Sequence, residues 1–203
     1  RSVALRNPLI GSTGTIVSIE PTLSATVPAV SVGELPIWLS MTDGVTPSGT
    51  AAPYNWNFDY SMTAANNPTS YSLVATDGQQ QYVANYCLAE SITIAADRNG
   101  LTNLSANLFA QNVAKNSATL AEGTPTSSFM AGRLWNAFQH GSSFPGTADG
   151  TAYEYLLDFS LEFNAGILRQ SYLAGTTTFS THAESGPFTG TLTMTVSSTA
   201  SAV

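Results

Sequence analysis

Charge is scarce in this sequence: Asp, Glu, Lys and Arg make up 9% of its 203 residues, against about 25% in an ordinary soluble protein. Thirteen residues are acidic and only six are basic, so the net charge is −7. The six basic residues form no patch, which excludes the usual electrostatic footprint of a nucleic-acid-binding protein. A surface so poor in charge indicates that much of it faces other protein, a composition that extracellular β-proteins share.

Residues suited to cross-links, membrane insertion or catalysis are also few. Cys87 is the only cysteine, which excludes an internal disulfide, and its surroundings predict a small buried side chain. No run of about 18 apolar residues occurs, so no membrane insertion is expected. His140 and His182 are the only histidines and lack metal-ligand spacing, and no G-x-S-x-G motif is present. These residues offer no metal-ligand pattern and only weak candidates for catalysis.

Strict alternation of apolar and polar residues is the pattern that the sequence does contain. It is clear in NWNFDYSM (55–62) and TLTMTV (191–196), and it is typical of half-buried β-strands. Asp77-Gly78 and Asn99-Gly100 separate strand-like segments and predict tight hairpin turns with positive φ. The range 54–109 is therefore predicted to be an antiparallel meander, in a chain of seven or eight strands.

Two other segments depart from this alternation. The range 31–44 carries apolar residues at helical spacing, with Pro36 near its first turn, and predicts a short helix. The range 111–152 is rich in Gly, Ser, Thr, Asn and Ala and predicts a long loop, in which only FMAGRLWNAF (129–138) is expected to order, as a helical turn. The 203 residues fit a single domain. Its parts in order are an N-terminal arm with the first strand (1–30), the helix (31–44), the meander (54–109), the loop (111–152) and the C-terminal strands (153–198).

Three acidic residues occur in register in YEYLLDFSLEFN, residues 153–164. On a helix, Glu154, Asp158 and Glu162 would be stacked about 6 Å apart and would repel one another. On a strand, neighbouring carboxylates lie about 13 Å apart, beyond the Debye length of about 8–10 Å, so the pattern favours a strand. This spacing exceeds the roughly 5–9.5 Å between glycosidase carboxylates, although a pair across strands, with Asp59 for instance, stays open. The acids form either an ordinary solvated face or an acidic wall that faces a wide polar space.

The order of these elements resembles the tail tube (major tail) proteins of long-tailed, siphovirus-type bacteriophages. The similarity is carried by IEPTLSATVPAVSVGELPIWLSMTDG (19–44), a proline-rich lead-in to a short helix. It continues with an aromatic strand around Trp56, the strand SYSL (70–73), and the hairpin ESITIAADRNGLTNLSANL (90–108). It extends over residues 20–110 and, by pattern alone, over 150–198.

This resemblance implies both an architecture and a function. The fold would be an antiparallel β-sandwich or half-barrel with one short flanking helix. Six copies would form a ring whose inner strands join into one closed barrel, and rings would stack into a tube. The partners would be other copies of the chain, the tape-measure protein, other tail proteins and passing DNA. The chain would belong to the virion tail, assembled in the host bacterial cytoplasm, without a cofactor or an active site.

The acidic strand then becomes a candidate lining of the tube. An acidic lumen suits DNA transit, because basic walls would release counterions and hold the phosphates. We therefore expect Glu154, Asp158 and Glu162 to line the bore, with Asp59 beside them.

The long loop is a candidate connector between subunits. It carries large apolar side chains that would otherwise promote aggregation, and we expect them to dock on a neighbouring subunit; the alternative is a disordered insertion. The residues concerned are Phe129, Met130, Leu134, Trp135 and Phe138.

Two other functions remain open from the sequence. Low charge and abundant Thr also suit an extracellular β-sandwich, such as an adhesin, a carbohydrate-binding module or a pilus-type subunit, in which Trp56 or Trp135 would serve as a sugar platform. The lack of a signal-peptide pattern and of calcium-type Asp clusters disfavours this alternative. A hydrolase built on Glu90, Asp158 or Glu162 is disfavoured because no nucleophile–base pair can be named.

Overall fold

β-Strands dominate the structure, which is a computed structural model. It describes residues 20–45, 48, 56, 58, 67–76, 79–116, 128–135, 137–139, 151–153, 156–170, 181–184 and 187–197. The elements in these ranges are β1 (Thr22–Val27), α1 (Leu35–Ser40), β2 (Tyr71–Thr76), β3 (Gln81–Asp97), β4 (Asn103–Phe109), β5 (Asn112–Asn116), a 3-10 turn (Gly132–Leu134), β6 (Ala137–Gln139), β7 (Thr151–Tyr153), β8 (Leu156–Asn164), β9 (Ile167–Gln170), β10 (Thr181–Glu184) and β11 (Thr189–Val196).

An antiparallel sheet of seven strands forms the centre of the fold. Five of them follow one another in the order β1-β4-β3-β8-β11, and we call this part the five-stranded sheet. The other two strands, β2 and β5, pair with the first half of β3. The predicted fold class is confirmed: the chain is mainly β and antiparallel, with one short flanking helix and an open sheet rather than a closed barrel.

The 17 residues of β3 serve both parts of the sheet. Gln81 to Cys87 lie between β2 and β5, whereas Leu88 to Asp97 lie between β4 and β8. Two register irregularities separate the halves: one beside Tyr86, whose φ is 55°, and one between Ala89 and Ser91. Positive φ is rare for an aromatic residue, and such bulges bend a strand. The bend lets one strand leave the five-stranded sheet and support a second group of strands.

The hairpin between β3 and β4 is confirmed, but its turn is wider than predicted. Ala95 pairs with Asn103, and among the residues described only Tyr86 and Gly166 have positive φ. Asn99 N–H instead donates to Asp97 Oδ1 at 2.8 Å, and Gly100 N–H donates to the Asp97 carbonyl at 3.2 Å. An Asp side chain can organise a turn through its neighbours' backbone in this way. The β2–β3 hairpin is also present, since Thr76 pairs with Gln81; Asp77-Gly78 lies outside the described residues.

The main core lies on one face of the five-stranded sheet, and a smaller cluster of Leu88, Phe109, Ala165 and Ile167 lies at one end of the other face. Buried side chains from the two central strands, among them Ile92, Ile94, Leu104 and Leu108, form a cluster that Phe159 of β8 completes. Helix α1 and the segment 128–135 cover this cluster and contribute Leu35, Trp38, Leu39, Met130 and Trp135. A sheet with one covered face can be stable in water as long as its other face is polar.

Helix α1 is shorter than the predicted range of 31–44, since it spans only Leu35–Ser40. A turn begins it: Ser31 N–H donates to Glu34 Oε2 at 3.0 Å, and Glu34 N–H donates to Ser31 Oγ at 3.3 Å. These reciprocal bonds correspond to a capping box and satisfy N–H groups that the helix cannot. Pro36 lies in the first turn, as predicted. The residues on either side of the helix, within 31–44, have the same spacing of apolar residues but lie in turns. The spacing alone does not distinguish such turns from a helix.

The predicted long loop over 111–152 contains more regular structure than expected among its described residues. The helical turn expected in 129–138 is present as the 3-10 turn Gly132–Leu134. β5 pairs with the first half of β3, β6 pairs with β7, and the segment 128–135 packs on the sheet. The sequence of β5, NVAKN, has little alternation. It forms a strand because β3 supplies a row of backbone hydrogen-bonding groups, which side-chain patterns do not reveal.

Other predictions fall partly on residues that the structure does not describe. Residues 1–19, most of 54–66 and 171–180 lie outside the described ranges. Trp56 and Phe58 are described and lie in no strand, although alternation predicted one there. The assignment of all residues to one domain stays a prediction. Within the described ranges, the helices are too short or too polar to cross a membrane.

Candidate functional site

The five-stranded sheet has a second face that is almost entirely polar and uncharged. Registers across all five strands place every second residue on this side, opposite the core. We call this surface the polar face. Its side chains are Thr22, Ser24 and Thr26 of β1, Asn103, Ser105 and Asn107 of β4, Ser91, Thr93, Ala95 and Asp97 of β3, Asp158, Ser160, Glu162 and Asn164 of β8, and Thr189, Thr191, Thr193 and Thr195 of β11. At one end the same registers place Phe109 and Leu88 on this side, opposite Thr22, where they form a small buried apolar cluster with Ala165 and Ile167.

Asp158 and Glu162 both lie exposed on this polar face. Phe159, the residue after Asp158, is buried in the core at 8% exposure, so the alternation predicted for this strand is found over 158–164. It breaks at the start of β8, where the register shifts and Leu156, predicted to be out of phase, packs against the core. The two carboxylates are four residues apart on one strand, which corresponds to about 13 Å. Their predicted spacing and their common face are therefore both found.

The register adds a third carboxylate that the sequence analysis did not include. Asp97 of β3 pairs with Asp158 of β8, while Glu162 pairs with Thr93. Residues paired in this way have Cβ atoms about 4.5–5.5 Å apart. In SITIAAD (91–97), Asp97 lies on the same side of the strand as Ser91 and Thr93, and the alternation of the sequence alone could have predicted this. Its proximity to Asp158 depends on the pairing of two distant strands, which no local pattern encodes.

The other two acidic residues predicted for this surface cannot be placed. Asp59 and Glu154 lie outside the described residues. Their position on the polar face stays a prediction.

Two electrostatic features characterise the polar face. The five strands place three acidic side chains and no Lys or Arg on it. At the end formed by Phe109, however, Arg169 of β9 lies over the Phe109 ring, 5.6 Å from its centroid, and pairs with Glu20 at 4.0 Å. Hydroxyl and amide groups fill the rest and bond across strands, as where Asn107 Nδ2 donates to Ser91 Oγ at 3.0 Å. Two arginines lie just beyond its end, where Arg98 and Arg133 line an open hollow of about 400 Å³ beside Gly100. The face itself presents a weakly negative, hydrated surface.

The apolar residues of the predicted connector divide into two groups. Met130 and Trp135 pack on the chain's own core. The Trp135 ring lies 4.8 Å from that of Phe159, and its Nε1–H donates to Thr102 Oγ1 at 2.7 Å. These two side chains anchor the segment within its own chain. Both stay partly exposed, so their docking on a neighbouring subunit, and the use of Trp135 as a platform for sugar, stay predictions.

The remaining connector residues point away from this core. Phe129 is 51% exposed and Leu134 is 70% exposed. Phe138 belongs to β6, where only the backbone is described. Docking of Phe129, Leu134 and Phe138 on a neighbouring subunit stays a prediction.

Both edges of the five-stranded sheet are open within the described part of the chain. β1 pairs only with β4, and β11 pairs only with β8. On β11, all eight residues are exposed, including Leu192 at 54%, Met194 at 42% and Val196 at 47%. Open edges are sites for pairing with another chain, and exposed neighbouring apolar side chains mark interaction surfaces.

Apart from the paired Asp97 and Asp158, the groups with chemical reactivity lie far from one another in the described residues. Cys87 is fully buried, as predicted, and its Sγ–H donates to the Ala84 carbonyl at 3.3 Å. Within the described ranges, no three His, Cys, Asp or Glu side chains are grouped so as to hold a metal ion. Glu90 is exposed at the β3 irregularity, about 23 Å along the strand from Asp97.

Comparisons with protein-family models and with curated proteins found no match to this chain.

Proposed function

We propose that this chain is the structural subunit of a bacteriophage tail tube, in which the polar face of the five-stranded sheet lines the bore. The observation that carries the proposal is the composition of that face: its five strands contribute hydroxyl and amide groups, three carboxylates and no basic side chain, and Arg169, over Phe109 at one end, is paired with Glu20. The resemblance of residues 20–110 to major tail proteins gives the same assignment independently of this surface.

A surface of this kind allows DNA to pass without holding it. Basic residues would neutralise phosphates and release counterions, which gives tight, salt-sensitive binding. Asp97, Asp158 and Glu162 instead repel a polyanion weakly, and the hydroxyl and amide side chains between them retain water. The face therefore offers DNA a hydrated, slightly repulsive wall.

The open edges of the same sheet support a ring. A ring of copies would cover β1 and β11 with neighbouring strands and thereby remove the edges that invite uncontrolled pairing. It would also turn one face of every sheet toward a common axis. With the polar face turned inward, the covered core, α1 and the segment 128–135 would lie on the outside of the bore.

The partners in this proposal follow from the assembly. The main partners are further copies of the same chain, which would form hexameric rings that stack on one another. The other partners are the tape-measure protein, other tail proteins and transiently passing DNA. The assembled chain would be located in the virion tail. No ligand or catalytic step is part of the proposal.

Negative-stain microscopy of the purified protein tests the assembly. The proposal expects rings or hollow tubes. Monomers at all concentrations would contradict it and favour a free-standing β-sandwich module.

The bore assignment is tested by reversing charge on the polar face. Asp158→Lys combined with Glu162→Lys should leave assembly intact and should make tubes bind short duplex DNA, with an affinity that falls steeply with added salt. Asp43→Lys combined with Glu90→Lys is the matched control, since it makes the same change in net charge away from the polar face: Asp43 follows α1 on the covered side, and Glu90 lies at the β3 irregularity. Equal DNA binding by both variants would show that the polar face does not line the bore.

A further inference from the structure

The strand count of the five-stranded sheet fixes the directions of its two edges. Each neighbouring pair along β1-β4-β3-β8-β11 is antiparallel. Because five is odd, the direction reverses an even number of times, so β1 and β11 run the same way. In a ring, all copies have the same orientation relative to the axis. A contact between β11 of one copy and β1 of the next therefore joins parallel strands.

The two edge strands also carry the same kind of side chain on each face of the sheet. On the apolar face, Leu192, Met194 and Val196 of β11 are exposed, whereas Leu23, Ala25 and Val27 of β1 pack against the core cluster. On the polar face, β11 presents four threonines and β1 presents Thr22, Ser24 and Thr26. Neither strand carries a charged residue. A joint between them would continue both faces without a charge mismatch.

We propose that β11 of one copy pairs in parallel with β1 of the next copy, and that this single joint closes the ring. The inference rests on the proposed function, which supplies the ring but does not specify which edges meet or in which direction. The joint places the exposed apolar side chains of β11 beside the apolar side chains of β1 in the neighbouring copy. The core layer then continues from copy to copy behind an unbroken polar lining.

A contact between two identical edges leaves the other edge strand of each copy without a partner. A β11–β11 contact is two-fold symmetric and leaves β1 of both copies open; a β1–β1 contact leaves β11 open. A contact between unlike edges uses one interface to cover both strands and is the type that generates rings. Parallel pairing is slightly less stable per residue than antiparallel pairing, and the burial of Leu192, Met194 and Val196 offsets this difference.

Cross-links between engineered cysteines on the polar face show which strand pairs with β11 of the neighbouring copy and whether the two strands run parallel or antiparallel. One cysteine replaces Thr191 or Thr195 on β11 and a second replaces Thr22, Ser24 or Thr26 on β1, which gives six double variants of the full chain. Buried Cys87 is common to all of them. Two positions four residues apart along a strand are separated by about 13 Å, whereas a disulfide requires Cα atoms within roughly 7 Å. The two series therefore report the direction even if the register is unknown.

The expected result is a ladder of covalent oligomers under mild oxidation. Its strongest β1 partner should lie nearer Val27 for position 195 and nearer Thr22 for position 191. The reverse order would mean antiparallel strands and would overturn the proposal. So would efficient dimers from Thr193→Cys alone, because this single variant cross-links only when two β11 strands meet.

Microscopy of the same samples separates this inference from the proposed function. Rings or tubes that give no ladder from any of the six variants would leave the tail-tube proposal standing and would refute the β11–β1 joint. The absence of both rings and ladders would refute both.

A matched pair of substitutions on β11 tests the apolar side of the joint. Met194→Asn and Thr193→Asn place the same side chain on opposite faces of the strand, and both positions are exposed, so both variants should fold. We expect Met194→Asn to raise the protein concentration needed for assembly at least about tenfold, and Thr193→Asn to change it little. Equal effects of the two changes would exclude the apolar strip from the contact.

Discussion

β4 and β11 have the same kind of sequence but different surroundings. Both alternate between polar and apolar residues, with NLSANLF in β4, up to Leu108, and TGTLTMTV in β11. In β4 every apolar side chain is buried, whereas in β11 every residue is exposed. β4 lies inside the sheet beneath α1 and the segment 128–135, and β11 lies at an edge. Alternation thus specifies which side of a strand is apolar, but the rest of the assembly determines whether that side is covered.

The largest test of this difference replaces one leucine in each strand. Leu104 is fully buried and Leu192 is 54% exposed. Leu104→Ala should lower the free energy of unfolding by about 2–5 kcal/mol, because it removes buried methyl groups and leaves a cavity. Leu192→Ala should change the stability of the isolated subunit by no more than about 0.5 kcal/mol. Urea denaturation of dilute protein measures both.

An equal loss for the two leucines would contradict the comparison. It would mean that a further part of the chain covers β11 within the subunit. The exposed apolar strip would then not be available to a neighbouring copy.

Two glycines extend the same comparison from side-chain burial to backbone packing. Gly132 is buried where the segment 128–135 meets the β3–β4 hairpin, and a methyl group there would overlap the Asp97 carbonyl. Gly190 lies on β11, where a methyl group would be 3.8 Å from the nearest atom of Phe163. Gly132→Ala should destabilise the chain by about 1–3 kcal/mol, whereas Gly190→Ala should be neutral or slightly stabilising. Thermal unfolding under identical conditions compares them, and tolerance of alanine at 132 would show that this segment packs loosely.

Neighbouring residues in the segment 128–135 provide a third contrast. Trp135 donates a hydrogen bond to buried Thr102, while Leu134 is 70% exposed. Trp135→Phe keeps most of the ring but removes the donor, which should cost about 1–2 kcal/mol. Leu134→Ala should be close to neutral in the subunit but should weaken assembly if this side chain docks on a neighbour. Denaturation and microscopy of both variants separate a role within the chain from a role between copies.

The sequence predicted those features that depend on local pattern. The alternation of β8, β4 and β11, the β3–β4 hairpin, the place of Pro36 and the burial of Cys87 were all found. What could not be predicted is pairing between segments distant in sequence. The β3–β8 register brings Asp97 opposite Asp158, and β5 forms on β3 with almost no pattern of its own. For the same reason, Trp135 was assigned to an intermolecular contact, since nothing in its local sequence indicates Thr102 or Phe159 as its partners.

The reactivity of thiols compares a covered site with the uncovered strand β11, and it involves the smallest change to the stability of the chain. Burial raises the pKa of Cys87 above its ordinary value of 9.0, and a backbone hydrogen bond with Leu73 opposes this. The thiol is therefore neutral and shielded at neutral pH, and a disulfide reagent should react with it only when the chain opens. Its contribution to stability is complete below the ordinary pKa and is lost as the pH rises through the higher folded-state value.

A second thiol at position 194 on β11 should behave in the opposite way. In dilute Met194→Cys protein, one equivalent of thiol should react rapidly and the buried one slowly, with rates that differ at least about tenfold because only one is accessible. Assembly should slow the fast phase without changing the slow one, because the neighbouring β1 strand would cover position 194 and not position 87. A fast phase that assembly leaves unchanged would mean that β11 stays uncovered, and the difference between β4 and β11 would then be permanent rather than a mark of an incomplete structure.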